Sequence, residues 1–91
     1  MSKHKETFVK AFLGVADVEI TNPGLDEAFV QKLIAELATG KVPPEKLGST
    51  PIFVRIIEGR GYCVNNGNHT VEALKRAGVK MVQAEVYRLS D

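Results

Sequence analysis

The chain has 91 residues, of which 44% are hydrophobic and 25% are charged, and these values fit one small globular domain rather than a disordered segment. The 12 basic and 11 acidic residues leave a net charge of +1, so no global charge draws the chain to nucleic acid or to a membrane surface. The single cysteine, Cys63, excludes an intramolecular disulfide and a zinc site built from several thiolates.

The N-terminal part of the chain is predicted to be a helix followed by a strand. Apolar residues recur at helical spacing from Phe8 to Val15, which predicts an N-terminal helical extension over residues 1–14. The β-prone residues 15–20 are typical of a strand, although their alternation is imperfect. We therefore expect the domain proper to occupy residues 15–91.

A helix is predicted in the middle of the chain. The sequence Thr21-Asn22-Pro23-Gly24 is typical of a turn, because proline fixes φ and glycine accepts a positive φ. Over residues 25–39 the apolar side chains form one stripe, and acidic residues occupy the first turn. Gly40 stands where glycine commonly ends a helix, and the proline-containing residues 41–50 are expected to form a loop.

The second half of the chain is predicted to contain a hairpin and a final strand. The most strand-like run covers residues 52–57, and a returning strand covers residues 62–64 after a glycine-containing turn. The polar residues 65–68 are expected to leave that strand. Residues 79–89 predict a last strand, with Val82, Ala84 and Val86 on one face.

A second helix is predicted between the hairpin and the last strand. Asn68 is expected to cap a helix that begins near His69, and Gly78 is expected to end it. The order of helices and strands therefore predicts an α+β fold, in which the helices pack on a small mixed sheet.

Three motifs in the C-terminal half carry a resemblance to a known family. Pro51-Ile52-Phe53-Val54-Arg55 opens a strand, Gly67-Asn68-His69-Thr70 forms the turn into the helix, and Ala77-Gly78-Val79 leaves that helix. With these motifs, residues 15–90 resemble the ParB/sulfiredoxin-like superfamily. Sulfiredoxins carry a catalytic cysteine directly after the glycine of the turn, where this chain has Asn68. Sulfiredoxin chemistry is therefore not expected.

The resemblance implies that the turn binds the phosphates of a nucleotide. A glycine lets the backbone approach closely, and N–H groups at a helix start face the anion. The arginine of the family motif falls at Thr70, which donates one hydrogen bond but carries no charge. The residues expected to bind phosphate or nucleotide are Gly67, Asn68, His69, Thr70, Asn66, Arg55 and Arg76. A nucleoside triphosphate and a divalent metal ion are the implied ligands, and the metal ligands stay unassigned.

Two residues of the predicted helix are candidates for catalysis. His69 changes its charge near neutral pH, so it is a candidate general acid or base. Glu72 lies three residues further on and shares a helix face with His69, where it would orient His69 or help to hold a metal ion. The alternative is that His69 only caps the helix or contacts phosphate, and that the two side chains form a solvated pair.

Two functions are compatible with this sequence. The resemblance predicts a ParB-like domain that acts on nucleic acid or nucleotide, as a nuclease-type effector or toxin domain with an immunity or other partner protein. The alternative is a non-catalytic nucleotide- or protein-binding module with a degenerate pocket, because Thr70 replaces the motif arginine. Hydrolase activity therefore stays open. We expect the chain in the cytoplasm, by itself or as a fragment of a secreted effector, and expect no membrane contact.

Overall fold

The structure is a computed structural model that describes residues 5–48 and 51–90, and the side chains of residues 8–48 and 51–87. Over this part of the chain the strands and helices are β1 (Lys5–Gly14), β2 (Val18–Glu19), α1 (Glu27–Ala38), β3 (Phe53–Ile57), β4 (Gly61–Asn66), α2 (Asn68–Arg76) and β5 (Met81–Ser90). Short 3₁₀ turns lie at Val15–Asp17 and Pro44–Lys46. No helix in the described ranges is both long and apolar enough to cross a membrane.

The described strands form one mixed sheet in the order β1-β5-β3-β4-β2. Strand β5 pairs antiparallel with β1 and parallel with β3, while β4 pairs antiparallel with β3 and parallel with β2. The predicted α+β class, with helices packed on a small mixed sheet, is therefore confirmed.

The hydrophobic core lies between one face of the sheet and the two helices. Strand residues that alternate along the chain point to this face, as the pleat of a strand requires. The buried apolar residues that the sheet contributes to this core are Leu13, Val18, Val54, Val64, Val82, Ala84 and Val86. Helix α1 adds Val30 and Leu33, and helix α2 adds Val71, Ala73 and Leu74. The predicted inward face of the last strand is thereby confirmed. The buried side chains of α2 pack this helix against the core.

The predicted N-terminal helix is wrong, because residues 5–14 form strand β1. Phe8 and Phe12 are four residues apart, and this spacing places two side chains on one face of a helix and also on one face of a strand. Antiparallel pairing with β5 along the whole of β1 decides between the two structures. The division of the chain into residues 1–14 and 15–91 stays a prediction.

The predicted strand over residues 15–20 is shorter in the structure. Val15–Asp17 form a 3₁₀ turn, and strand pairing is confined to Val18 and Glu19. The backbone N–H of Val15 donates to the carbonyl oxygen of Lys80 at 2.9 Å, which ties this turn to the start of β5. Because its N–H group is bound to Lys80, Val15 does not extend the pairing of β2 with β4.

Candidate functional site

Strand β4 leads directly into the turn that the motif indicated. Asn65 and Asn66 continue β4, contrary to expectation, because the pairing with β3 shifts register between Phe53 and Val54. Such a bulge accommodates an extra residue without ending the strand. Gly67 follows with φ of 107° and ψ of 28°, a left-handed conformation that favours glycine. The chain therefore reverses within one residue and starts α2.

The start of α2 carries no side-chain cap. Gly67 occupies the N-cap position, and no side chain there accepts a hydrogen bond from the first turn. The predicted capping role of Asn68 is wrong, because Asn68 is the first helical residue and its side chain faces another loop. The first hydrogen bond into the helix runs from the N–H of Val71 to the carbonyl oxygen of Gly67, at 2.9 Å.

Three main-chain donors at this end of α2 remain available. Within residues 5–48 and 51–90, no acceptor is in place for the backbone N–H groups of Asn68, His69 and Thr70. The first N–H groups of a helix have no partner inside the helix, and the helix dipole adds positive potential beside them. This arrangement favours a bound anion, phosphate above all.

The side chain of Asn68 fixes the loop that borders the turn. Its Oδ1 accepts hydrogen bonds from the backbone N–H of Thr21 at 2.9 Å and from that of Asn22 at 3.3 Å. The hydroxyl of Thr21 in turn donates to the carbonyl oxygen of Val64 at 2.8 Å. Asn68 therefore uses its amide oxygen to hold the loop at Thr21 and Asn22 beside the turn.

Replacing Asn68 with alanine should loosen the loop at Thr21 and Asn22. Two backbone N–H groups lose their acceptor, and a lost hydrogen bond of this kind costs about 1 kcal/mol. We expect the amide hydrogens of Thr21 and Asn22 to exchange with solvent faster in Asn68→Ala, while those of the β3–β4 hairpin do not change. The matched control is Asn65→Ala, because Asn65 is exposed on β4. Unchanged exchange at Thr21 would contradict the assigned contact.

The imidazole of His69 links α2 to the start of α1. Its Nε2 accepts a hydrogen bond from the backbone N–H of Asp26 at 3.0 Å, and its ring lies 5.0 Å from that of Phe29. An accepting Nε2 requires the neutral ring, with the proton on Nδ1. The carboxylate of Asp26 also caps α1, since its Oδ1 accepts from the N–H of Ala28. His69 thus holds the N-terminal ends of the two helices together.

Glu72 belongs to an ion-pair network further along α2. The Nε of Arg76 donates to Glu72 at 2.7 Å, and its Nη1 donates to Glu27 at 2.6 Å. The hydrogen bond from Arg76 lowers the pKa of Glu27 to about 2, with a smaller contribution from Gln31. The same two carboxylates raise the pKa of Arg76. Arg76 therefore joins α2 to α1 from the last turn of α2, whereas the free amides lie in the first turn.

The network predicts a loss of stability in acid. A carboxylate whose pKa is lower in the folded than in the unfolded chain stabilises the fold above its ordinary pKa, and this contribution disappears as the pH falls to the folded value. For Glu27 the window runs from 4.5 down to about 2. In urea unfolding, wild type should exceed Glu27→Gln in stability at neutral pH, and the gap should close across that window. Because Glu27 is exposed, the gap should be small and should shrink with added salt. A gap that is constant with pH would contradict the pairing.

Two predicted binding residues lie away from the free amides, and a third is enclosed. Arg55 points to the sheet face opposite the helices, where its guanidinium carbon lies 5.6 Å from the centre of the Tyr87 ring. Thr70 is buried, and a Cβ on Gly48 would lie 3.1 Å from its hydroxyl oxygen. The structure thus gathers Asn66, Gly67, Asn68, His69 and the backbone of Thr70 at the turn, while Arg55 and Arg76 lie elsewhere.

The described residues contain no cluster of three histidine, cysteine or carboxylate side chains that would hold a metal ion. The structure instead adds Thr21 and Asp26 to the surroundings of the turn, and the sequence analysis missed both. The turn signal at 21–24 and the acidic residue after it were visible in the sequence. What brings them to α2 is tertiary contact over more than forty positions.

Three solved structures share this fold at low sequence identity. A free serine kinase in complex with AMP superposes with a TM-score of 0.67 at 15% identity, over 88% of this chain and 30% of the kinase chain. Sulfiredoxin from Arabidopsis thaliana gives a TM-score of 0.63 at 17% identity, over 86% of this chain and 83% of its own. C-terminally truncated ParB from Caulobacter crescentus, complexed with CTP-γ-S, gives 0.65 at 23% identity, over 91% of this chain and 46% of the ParB chain.

These likenesses show the fold alone. No protein-family model and no curated protein sequence matches the chain. The chain spans less than half of the kinase and ParB chains, so what those whole proteins do is not carried over with the fold.

Proposed function

We propose that this chain, which has a ParB/sulfiredoxin-like fold, binds a nucleotide through its phosphates at the first turn of α2. The observation that carries the proposal is the set of backbone N–H groups at residues 68–70, which meet no acceptor among the described residues. Two proteins of the same fold were solved with AMP and with CTP-γ-S. This agreement supports the choice of a nucleotide over other anions.

Each residue around the turn has a separate role in the proposed binding. Gly67 lets the backbone bend without a side chain, so α2 starts at the next residue and the first N–H groups lie at its open end. Asn68 holds the loop at Thr21 beside the turn, and His69 fixes the start of α2 against the start of α1. Thr70 supplies a backbone donor where the motif has an arginine, so affinity rests on main-chain donors and the helix dipole rather than on a guanidinium.

Calorimetric titration with nucleotides tests the proposal. The panel pairs CTP with CDP and CMP, ATP with ADP and AMP, and includes inorganic pyrophosphate, each with and without Mg²⁺. We expect affinity to fall as phosphates are removed, because each phosphate brings charge to the amides. Binding should also weaken with salt. The proposal is wrong if no nucleotide binds, or if the monophosphates bind as tightly as the triphosphates.

Hydrolysis of nucleic acid is the second candidate function, and the half-buried ring of His69 beside the free amides favours it. His69 would be the proton-transfer residue of the hydrolysis. The backbone N–H groups of residues 68–70 would hold the phosphate at which the nucleic acid is cleaved. To act through Nε2, His69 would first have to release the N–H of Asp26. Glu72, paired with Arg76, would act on this chemistry only by leaving that ion pair. Cleavage would fit the nuclease-type effector that the family resemblance implies.

Incubation with labelled RNA and single-stranded DNA, with Mg²⁺, with Mn²⁺ and with chelator, separates the two functions. Cleavage that is lost in His69→Gln but kept in Asn65→Ala would support the nuclease. Nucleotide binding without cleavage under all conditions would support the binding module alone. His69→Gln retains an acceptor for the N–H of Asp26, so its fold should survive.

A further inference from the structure

Strand β1 is an edge of the sheet with apolar side chains exposed on both of its faces. It pairs with β5 on one side, and no described strand lies along its other side. Phe8 and Phe12 point to the open face of the sheet and are 47% and 67% exposed. Val9 points to the helix face and is still 43% exposed. A partner that covers all three must add to the edge, since a ligand lying on one face would leave the other uncovered.

This edge has few of the features that protect edge strands from pairing. Proteins usually shield an edge with proline, with several charges, with a bulge or with a very short strand. β1 has ten residues and contains no proline, and its charged residues are Lys5 and Glu6 at its start and Lys10 in its middle. Its pairing with β5 runs without a register shift. An edge of this length, with an unshifted register, offers backbone N–H and C=O groups to another strand.

We infer that β1 pairs antiparallel with β1 of a second copy of this chain, with Val9 at the twofold axis. The sheets of the two copies would then continue into each other through a β1–β1 junction. This surface is separate from the nucleotide site proposed at α2, so either proposal can fail without the other.

Overlap and charge together select this register among those that keep each face of the sheet continuous. With Phe8 on the axis, Glu6 would lie opposite Lys10, but seven residues of each β1 would pair, against nine with Val9 on the axis. With Lys10 on the axis, two lysines would stand directly opposite each other, which is destabilising. With Val9 on the axis, the two Val9 side chains meet on the helix face, and Lys10 of each copy lies opposite Phe8 of the other. A cation beside an aromatic ring is a favourable neighbour. Moving the axis towards Gly14 shortens the overlap of the strands.

The dimensions of β1 also suit a second copy. A strand of ten residues is about 33 Å long. The exposed side chains on both faces of β1 would be buried together in such a contact. A single-stranded nucleic acid would stack on Phe8 and Phe12 alone, and on that open face Glu85 lies opposite Lys10 and offsets its charge. The observations therefore favour a second protein chain.

Sedimentation velocity over a range of concentrations tests the pairing in the full chain. We expect a monomer–dimer equilibrium that Val9→Lys weakens by at least about tenfold, a change of about 1.4 kcal/mol in association free energy. The matched control is Ile56→Lys, because Ile56 is 57% exposed on β3, an inner strand. It should leave the dimer intact. A chain that is monomeric at every concentration, or a dimer insensitive to Val9→Lys, overturns the inference.

A cysteine substitution tests the register. Opposed residues of antiparallel strands have Cβ atoms about 4.5–5.5 Å apart, near enough for a disulfide after small adjustment. Under a mild oxidant, Val9→Cys should give a covalent dimer and Lys10→Cys should not. Cys63 is fully buried and stays out of the reaction. Cross-linking through Lys10→Cys instead, or oligonucleotide binding by a monomer through Phe8 and Phe12, contradicts the pairing about Val9.

Discussion

Replacing Gly67 with alanine should weaken nucleotide binding by at least about tenfold, which corresponds to about 1.4 kcal/mol. It should also lower the free energy of unfolding by about 1–2 kcal/mol, because a side chain strains the left-handed backbone at this residue. The φ of 107° is the cause, since an added Cβ would lie at an ordinary 3.5 Å from the Cα of Ile52. We expect relief of the strain to rotate the next peptides and to displace the N–H groups of residues 68–70 from the start of α2.

The matched control for Gly67→Ala is Gly59→Ala. Gly59 also has a positive φ, 84°, and an added Cβ would meet no atom within 4 Å. Both variants should therefore lose stability by a similar amount in urea unfolding, but only Gly67→Ala should lose affinity in calorimetry. Equal affinity of the two variants would mean that the α2 amides do not bind the phosphates.

Truncating Leu74 to alanine should have the largest effect on stability. Its side chain is fully buried on the inner side of α2, and Leu→Ala changes at such positions cost about 2–5 kcal/mol. The cost has two sources, the lost burial and the cavity that remains. A domain of this size has a total stability of about 5–14 kcal/mol, so the variant should unfold at far lower urea or temperature.

Met81→Ala serves as the control for Leu74→Ala. Met81 is 53% exposed at the start of β5, and substitutions at exposed positions usually change stability by less than about 1 kcal/mol. Urea unfolding of both variants, followed by circular dichroism, measures the difference. If Leu74→Ala costs no more than Met81→Ala, α2 does not pack on the sheet as described.

The sequence was sufficient for the parts of the fold that have strong local signals. The β3–β4 hairpin, α2 and β5 combine β-branched runs, glycine at turns and clear periodicity, so their positions follow from short-range rules. β1 could not be found in this way, because its two phenylalanines fit a helix and a strand equally. Pairing with β5, more than sixty residues away, decides its structure.

The site was predicted only as far as its local geometry reaches. Gly67 and the free amides after it follow from the motif and from the rules for helix starts. The hydrogen bonds from the backbone of Thr21 to Asn68 and from the backbone of Asp26 to His69 join residues more than forty positions apart. Local spacing in the sequence does not encode such contacts. Arg55 was predicted to bind phosphate because a phosphate site favours basic charge. Alternation along β3 instead places it on the sheet face that lies away from the helices.

The most direct test of the phosphate site is a titration of the ¹⁵N-labelled chain with CTP, followed by amide chemical shifts. We expect the largest shifts at Asn68, His69 and Thr70, with smaller shifts at Thr21 and Asn22, and none at the β3–β4 turn. Shifts that saturate elsewhere while the amides of residues 68–70 stay unmoved would contradict it.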